Sequence, residues 1–344
     1  MRIAVVSPRY PDSFSDNVAV TLQAMGHQVM SVGSIPTSRY YGRVGAVARA
    51  LREQWFGDRP TTDERRLAKR VKAEKIQALI ACTWDVHPEV LQDLGRSCAR
   101  VLWWGDHAGS TGRWGVVNSH WDIVYVKDRD LCAKLLRVGV DARVMHEAAN
   151  PMWHRPVAEP VDQSLAFAGN LYGFRQVLVR RLLEAGEQVR VYGPRAPRWI
   201  LPSIQPAIVG EYVSGLDKSR AFGEALAVIN NFCLAEGNAL NCRAFEAAAA
   251  GALQLIEHRD AIRECFEPGR EVLVWNTWDE LLDHIARAKR EPQSMRKIRQ
   301  AGAARVLAEH TYQHRLVRVL QDIGEREKPR PAQVSLSHFG SSTL

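Results

Sequence analysis

Asn238, Asn241, Arg243 and Glu246 crowd the start of one stretch, "NALNCRAFEAAAAGALQLIEH" (238–258). Residues three and four apart share a helix face, so Arg243, Glu246 and Ala247 become neighbours once the stretch is helical. Arginine near a helix N-terminus is unfavourable unless an anion sits there. A glutamate among alanines and Phe245 needs a partner if it is buried. Arginine for phosphate and glutamate for vicinal hydroxyls is the pair that a sugar nucleotide requires. A structural Arg–Glu pair explains the same residues equally well.

A second set lies in "FAGNLYGFR" (167–175). Gly169 and Asn170 follow an apolar run, and Arg175 stands near the start of the next helix. Glycine lets a ligand approach the backbone, and a helix N-terminus offers free N–H groups and a positive dipole end. Arg175 could add a guanidinium to the same anion. A turn glycine and a capping asparagine are the plainer alternative. Tyr192 and Gly193 in "VYGP" (191–194) could border a base or sugar, or simply make a turn. No G-x-G-x-x-G follows the first strand, and neither a Walker A sequence nor a G-x-S-x-G elbow is present. The histidines and cysteines do not fall at zinc spacing, so no metal site is expected.

These residues need strands that end beside them. "RIAVVS", "HQVMSVG", "IQALIACTW", "ARVLWWGD" and "DIVYVKD" read as strands, alternating with helices such as "DNVAVTLQAMG" and "RDLCAKLLRVG". Two helices are expected between Val44 and Lys75, the second capped by Thr or Asp of "GDRPTTDERR". After a proline-containing linker (157–163) the alternation restarts and runs to "SMRKIRQAGAARVLAEH". The pattern predicts an α/β protein of two Rossmann-like domains facing an interdomain cleft, with ligands at the carboxyl ends of the strands. The expected boundaries are 1–156, 157–327 and a disordered tail at 328–344, which mixes proline, serine and charge.

The length of 344 residues suits two domains. No apolar run reaches the roughly 20 residues that span a bilayer. Six scattered cysteines read as reduced thiols in a cytoplasmic protein. The formal charge is +8, and between Arg39 and Lys75 eleven basic residues face five acidic ones. Such a segment could attract nucleic acid, an anionic lipid surface or phosphorylated substrates, or be a solvated helical face.

From about Leu165 to Leu316 the chain resembles the C-terminal half of CgeB-like glycosyltransferases, relatives of the family 4 glycosyltransferases with the GT-B fold. "FAGNLYGFR", "VRVYGP", "NALNCRAFEAAAAGALQLIEH" and "FEPGREVLVW" carry the resemblance in that order. "VLWWGDH", "DIVYVKDRD" and "HEAANPMWHRP" match the first half more loosely. The resemblance implies transfer of a sugar from a nucleotide diphosphate donor, which serves as co-substrate without a further cofactor. The C-terminal domain would hold the donor and the N-terminal domain the acceptor.

In family 4 relatives a Glu-x7-Glu pattern lies here, and its second glutamate contacts the ribose. Glu246 matches that position, while Asn238 stands at the first. Arg243 fits the CgeB-like N-x-R-x-F-E signature and is assigned to the pyrophosphate, with Arg175 as a second candidate. "WWGDHAGS" resembles the family's aromatic strand and acidic loop, so Asp106 or His107 could deprotonate or orient an acceptor hydroxyl. Asp85 and His87 in "CTWDVHPE" are further acceptor-side candidates. GT-B enzymes usually stabilise the leaving diphosphate with basic side chains and helix dipoles, so no metal is required. Two alternatives remain. One has a nucleic-acid acceptor held by the 39–75 segment. The other is a non-catalytic nucleotide-sugar binding protein on the same fold.

Overall fold

A computed structural model describes residues 1–7, 10–32, 51, 54, 55, 59–107, 115–194, 196 and 198–326. Most of the first of the two helices expected after Val44, residues 8 and 9, and the tail 328–344 lie outside the described residues. So does the end of "WWGDHAGS".

The first sheet has six parallel strands: β1 (Arg2–Val6), β2 (Gln28–Val32), β3 (Ala78–Cys82), β4 (Ala99–Trp104), β5 (Ile123–Val126) and β6 (Ala142–Val144). Their order is β2-β1-β3-β4-β5-β6. Successive side chains of a strand point to opposite faces, and both faces here are apolar. Ala4, Val6, Leu79, Ala81, Leu102 and Val124 meet α2 (Thr62–Ala73), α3 (Pro88–Asp93) and α4 (Arg129–Arg137). Ile3, Val5, Ile80, Val101, Trp103 and Tyr125 meet α1 (Phe14–Ala24) and the last helix, α11 (Tyr312–Arg326). Thr61 and Glu64 form a reciprocal cap at the start of α2.

The second sheet has five parallel strands: β7 (Leu165–Ala168), β8 (Val189–Tyr192), β9 (Ala227–Asn230), β10 (Gln254–Glu257) and β11 (Leu273–Trp275), in the order β11-β10-β9-β7-β8. On one face lie α5 (Gly173–Glu184), α9 (Trp278–Arg290) and α10 (Pro292–Glu309). On the other lie α6 (Gly215–Glu224) and the alanine-rich α7 (Cys242–Ala249), while α8 (Ile262–Cys265) packs beside Phe245. Both domains are therefore parallel sheets with helices on both faces.

The chain crosses between domains twice. Residues 145–164 link β6 to β7, and α11 returns to the first sheet. Tyr312, Leu316, Val319 and Ile323 bury in the N-terminal core, and Arg143 pairs with Asp322 at 2.6 Å. The Tyr125 hydroxyl donates to the same carboxylate. No helix among the described residues is long and apolar enough to cross a membrane.

Candidate functional site

Gly169 ends β7 with φ +108, a conformation that favours glycine. A Cβ there would lie 2.7 Å from Arg243 Nη2 and 3.3 Å from Arg175 Nη1. The two guanidinium groups thus converge on one glycine at the carboxyl end of a strand. Neither makes an ion pair among the described residues. Gly193 completes the corner: its N–H donates to the Glu211 carbonyl at 3.0 Å, and a Cβ would fall 2.6 Å from the Gly169 carbonyl oxygen.

The two arginines play different parts. Arg175 is 1% exposed. Its Nε donates to Asn231 Oδ1 at 2.9 Å and its Nη1 to the Asn170 carbonyl at 2.6 Å. Burial, then the neighbouring Arg243 charge, lowers its pKa to about 9. Its donors hold the 168–170 turn, so the sequence assignment of Arg175 as a direct phosphate ligand is corrected to that of a support. Arg243, in the first turn of α7, is only half-buried. Its Nη1 donates to Asn230 Oδ1 at 3.2 Å, and Nη2 lies over Gly169.

An amide network fixes that side chain. Asn241 caps α7 by accepting from the Ala244 N–H at 3.2 Å. It exchanges hydrogen bonds with Asn230 at 3.1 Å, and Asn230 also donates to Gln254 at 3.0 Å. The polar opening of the helix is thus a cap that aims an arginine. Asn170 is exposed at the turn. Tyr192 is not at the corner surface: its ring is buried beside Val213, Phe222 and Ala247, so its expected place against a base or sugar is corrected to a packing role.

Glu246 faces the domain interface and is 6% exposed. Lys218 Nζ lies 3.2 Å from its Oε1 and 2.5 Å from Asp12 Oδ2. Burial alone would lower the Lys218 pKa, but Glu246 and Asp12 outweigh it and hold it up. Asp12 sits after β1 with φ +59 and accepts the Gly215 N–H at 3.0 Å, capping α6 of the other domain. His154 Nδ1 accepts the Asn150 N–H at 3.0 Å, which leaves the ring proton on Nε2 for Asp12. Asp12, His154 and Glu246 bring ligand atoms within 4.8 Å of one another, a spacing a metal ion could use. The Lys218 ammonium already supplies a cation between two of them.

Across the cleft, Asp106 is exposed and His107 half-buried just beyond β4. They line a cavity of about 260 Å³ with Lys127, Asp128 and Glu236. Lys127 pairs with Glu236 of the other domain at 2.7 Å, with side chains 5% and 11% exposed. Asp128 caps α4 and accepts the Asn238 N–H at 3.1 Å. Asn238 itself is exposed in the loop before α7. The β9–α7 loop of the C-terminal domain is thus pinned against the N-terminal domain. Asp85 and His87 do not join this group. His87 Nδ1 accepts the Glu89 N–H at 3.2 Å, so it caps α3.

Sequence reasoning missed Asp12, Lys127, His154 and Lys218. Their partners lie far along the chain, so no local spacing announced them.

Residues 175–321 match a family described as Glycosyl transferase-like. No curated protein matches the chain. Sucrose-phosphate synthase from Thermosynechococcus elongatus is similar in structure, with 13% identity, a TM-score of 0.62 and coverage of 95% of this chain and 100% of that one. AviGT4, a glycosyltransferase involved in avilamycin A biosynthesis, shows 17% identity, a TM-score of 0.60 and coverage of 94% and 97%. HepE from Anabaena, solved with UDP and glucose, shows 11% identity, a TM-score of 0.61 and coverage of 94% and 100%. At these identities the likeness establishes the fold, which is GT-B.

Proposed function

We propose that this protein is a glycosyltransferase that moves a hexosyl or pentosyl group from a nucleotide diphosphate donor to an acceptor hydroxyl. The observation that carries this is the pair of guanidinium groups at Gly169, without a carboxylate partner among the described residues. Like charges brought together in a partly buried corner call for an anion. Arg243 meets the diphosphate with the help of the α7 N-terminus, and Arg175 holds the turn beneath it. The charge that develops on the leaving diphosphate falls on these groups, which is the chief electrostatic aid to the transfer and needs no metal ion.

HepE is solved with UDP-glucose, and the same donor class suits this corner. Glu246, matching the ribose-binding glutamate of family 4 relatives, is held in place by Lys218. Asp106 and His107 border the acceptor space across the cleft. The order of motifs from "FAGNLYGFR" to "FEPGREVLVW" supports a CgeB-like relationship. Six free cysteines fit a reducing, cytoplasmic setting.

The described part of the basic segment gives no support to a nucleic-acid acceptor. In and beside α2, Arg66, Arg70 and Lys72 pair with Asp63, Glu74 and Asp93.

The test is release of nucleoside diphosphate from UDP-, GDP-, ADP-, CDP- and dTDP-glucose. Turnover or slow hydrolysis of at least one donor is expected. Donor binding with no release under any condition would make the protein a binding module instead.

A further inference from the structure

Strand β9 lies in the middle of its sheet, between β10 and β7, and ends at Asn230; Asn231 follows it. Both asparagines are fully buried. Successive side chains of a strand leave on opposite faces, and each of these two meets one arginine of the corner at Gly169. On the α7 face, Asn230 Oδ1 accepts from Arg243 Nη1 at 3.2 Å. On the α5 face, Asn231 Oδ1 accepts from Arg175 Nε at 2.9 Å.

A guanidinium only donates, so each asparagine turns its oxygen to its arginine. The amide nitrogens then face acceptors. Asn230 Nδ2 donates to Asn241 Oδ1 at 3.1 Å and to Gln254 Oε1 at 3.0 Å, and Gln254 Nε2 donates on to the Ala244 carbonyl at 3.0 Å. Asn231 Nδ2 donates to the Phe232 carbonyl at 3.3 Å. Both oxygens are thereby aimed by groups that carry no charge.

An aspartate at either position would also accept from its arginine, and more strongly. It would cancel the charge as well. The chain places an amide at both positions. Glu236, an acid whose charge reaches both guanidinium groups, bonds instead to Lys127 at 2.7 Å and to the Cys233 N–H at 3.0 Å.

We propose that Asn230 and Asn231 are paired positioning residues that hold the two guanidinium groups in place while leaving their charge for a diphosphate. This rests on the donor-side reading of the corner given above. Each uncancelled positive charge gains with every negative charge the ligand brings. The asparagine pair therefore favours a diphosphate over a monophosphate or a bare nucleoside, and so sets the class of leaving group.

The test uses the full chain. UDP, GDP, ADP, CDP and dTDP are titrated into the wild type by calorimetry, and the one bound most tightly is titrated into Asn231→Asp and Asn231→Ala. Asn231→Asp keeps an acceptor on Arg175 and adds a charge; Asn231→Ala removes the acceptor and adds none. Diphosphate affinity should fall by ~10-fold or more in Asn231→Asp, because its carboxylate takes the charge meant for phosphate. It should fall by about threefold at most in Asn231→Ala, where both positive charges stay. Thermal melts should give the reverse order, with Asn231→Ala the less stable of the two. A merely structural asparagine moves affinity and stability together, with Asn231→Ala the worse in both, and that result overturns the proposal. So does affinity in Asn231→Asp within about twofold of wild type, or an Asn231→Asp protein that no longer folds where Asn231→Ala does. If the wild type binds no diphosphate, the donor corner falls and the proposal with it; wild-type binding that Asn231→Asp retains fells the proposal alone.

Discussion

The guanidinium of Arg243 lies over the backbone of Gly169, close enough that a Cβ on that glycine would fall 2.7 Å from Nη2. Gly169→Ala should therefore do two things. It strains a residue at φ +108, at a cost of about 1–3 kcal/mol. It also displaces Arg243 and so weakens nucleoside diphosphate binding. Asn170→Ala, at an exposed side chain on the same turn, should leave the melting temperature within a few degrees. Thermal melts and diphosphate titrations of the two variants separate these effects. Equal affinity in Gly169→Ala and wild type would remove the steric link.

Lys127 and Glu236 join the domains through a buried ion pair at 2.7 Å. Removing one partner strands a buried charge. Glu236→Gln should destabilise the protein by roughly 3–5 kcal/mol in denaturant unfolding, well beyond a surface pair. The exposed pair Arg66–Asp63 serves as the control, since its loss should cost under about 1 kcal/mol. Similar small losses for both would show that the interdomain pair is loose in solution.

The network at Asp12 predicts an acid-sensitive interface. Burial alone would raise the Asp12 pKa, but His154 and Lys218 outweigh it and hold it well below the carboxylate range. A depressed acid contributes stability above its unfolded value of 3.8, and that stability is lost as pH falls through the folded value. The difference in unfolding free energy between wild type and Asp12→Asn should stay level from pH 5 to 8 and shrink below about pH 4. A difference that is unchanged at pH 3 would contradict the ion network.

Glu147 carries the opposite sign. Its pKa rises from 4.5 unfolded to about 8 folded, so the native state holds a proton that the unfolded chain releases. Stability therefore falls as pH climbs through that window. Glu147→Gln should match wild type near pH 4 and be more stable by roughly 2–5 kcal/mol near pH 8. Parallel stability curves would show that the carboxyl ionises freely in the folded protein.

Much of the architecture was legible in local sequence. Alternation in "RIAVV" puts Ile3 and Val5 on one face and Ala4 and Val6 on the other, and both faces are buried. The polar start of "NALNCRAFE" marked the start of a helix, because capping is written within four residues. Gly169 was legible for the same reason. The direction of Arg175 was not, because its acceptors on Asn231 lie 56 residues away. His87 also caps its own helix through Nδ1, a role the sequence alone did not show. Tyr192 looked available because the helices that bury it come later in the chain. The partners of Glu246 come from β1's loop, the linker and α6, and no local spacing announces such a meeting.

Titration of nucleoside diphosphates, UDP first, into wild-type and Arg243→Ala protein tests the donor corner most directly. The wild type should bind at least one of them. Loss of a charge-assisted hydrogen bond to phosphate should weaken that binding by ~10- to 100-fold in Arg243→Ala, with the free variant still folded. Equal affinity in the two proteins, or no diphosphate bound by the wild type, would contradict the assignment.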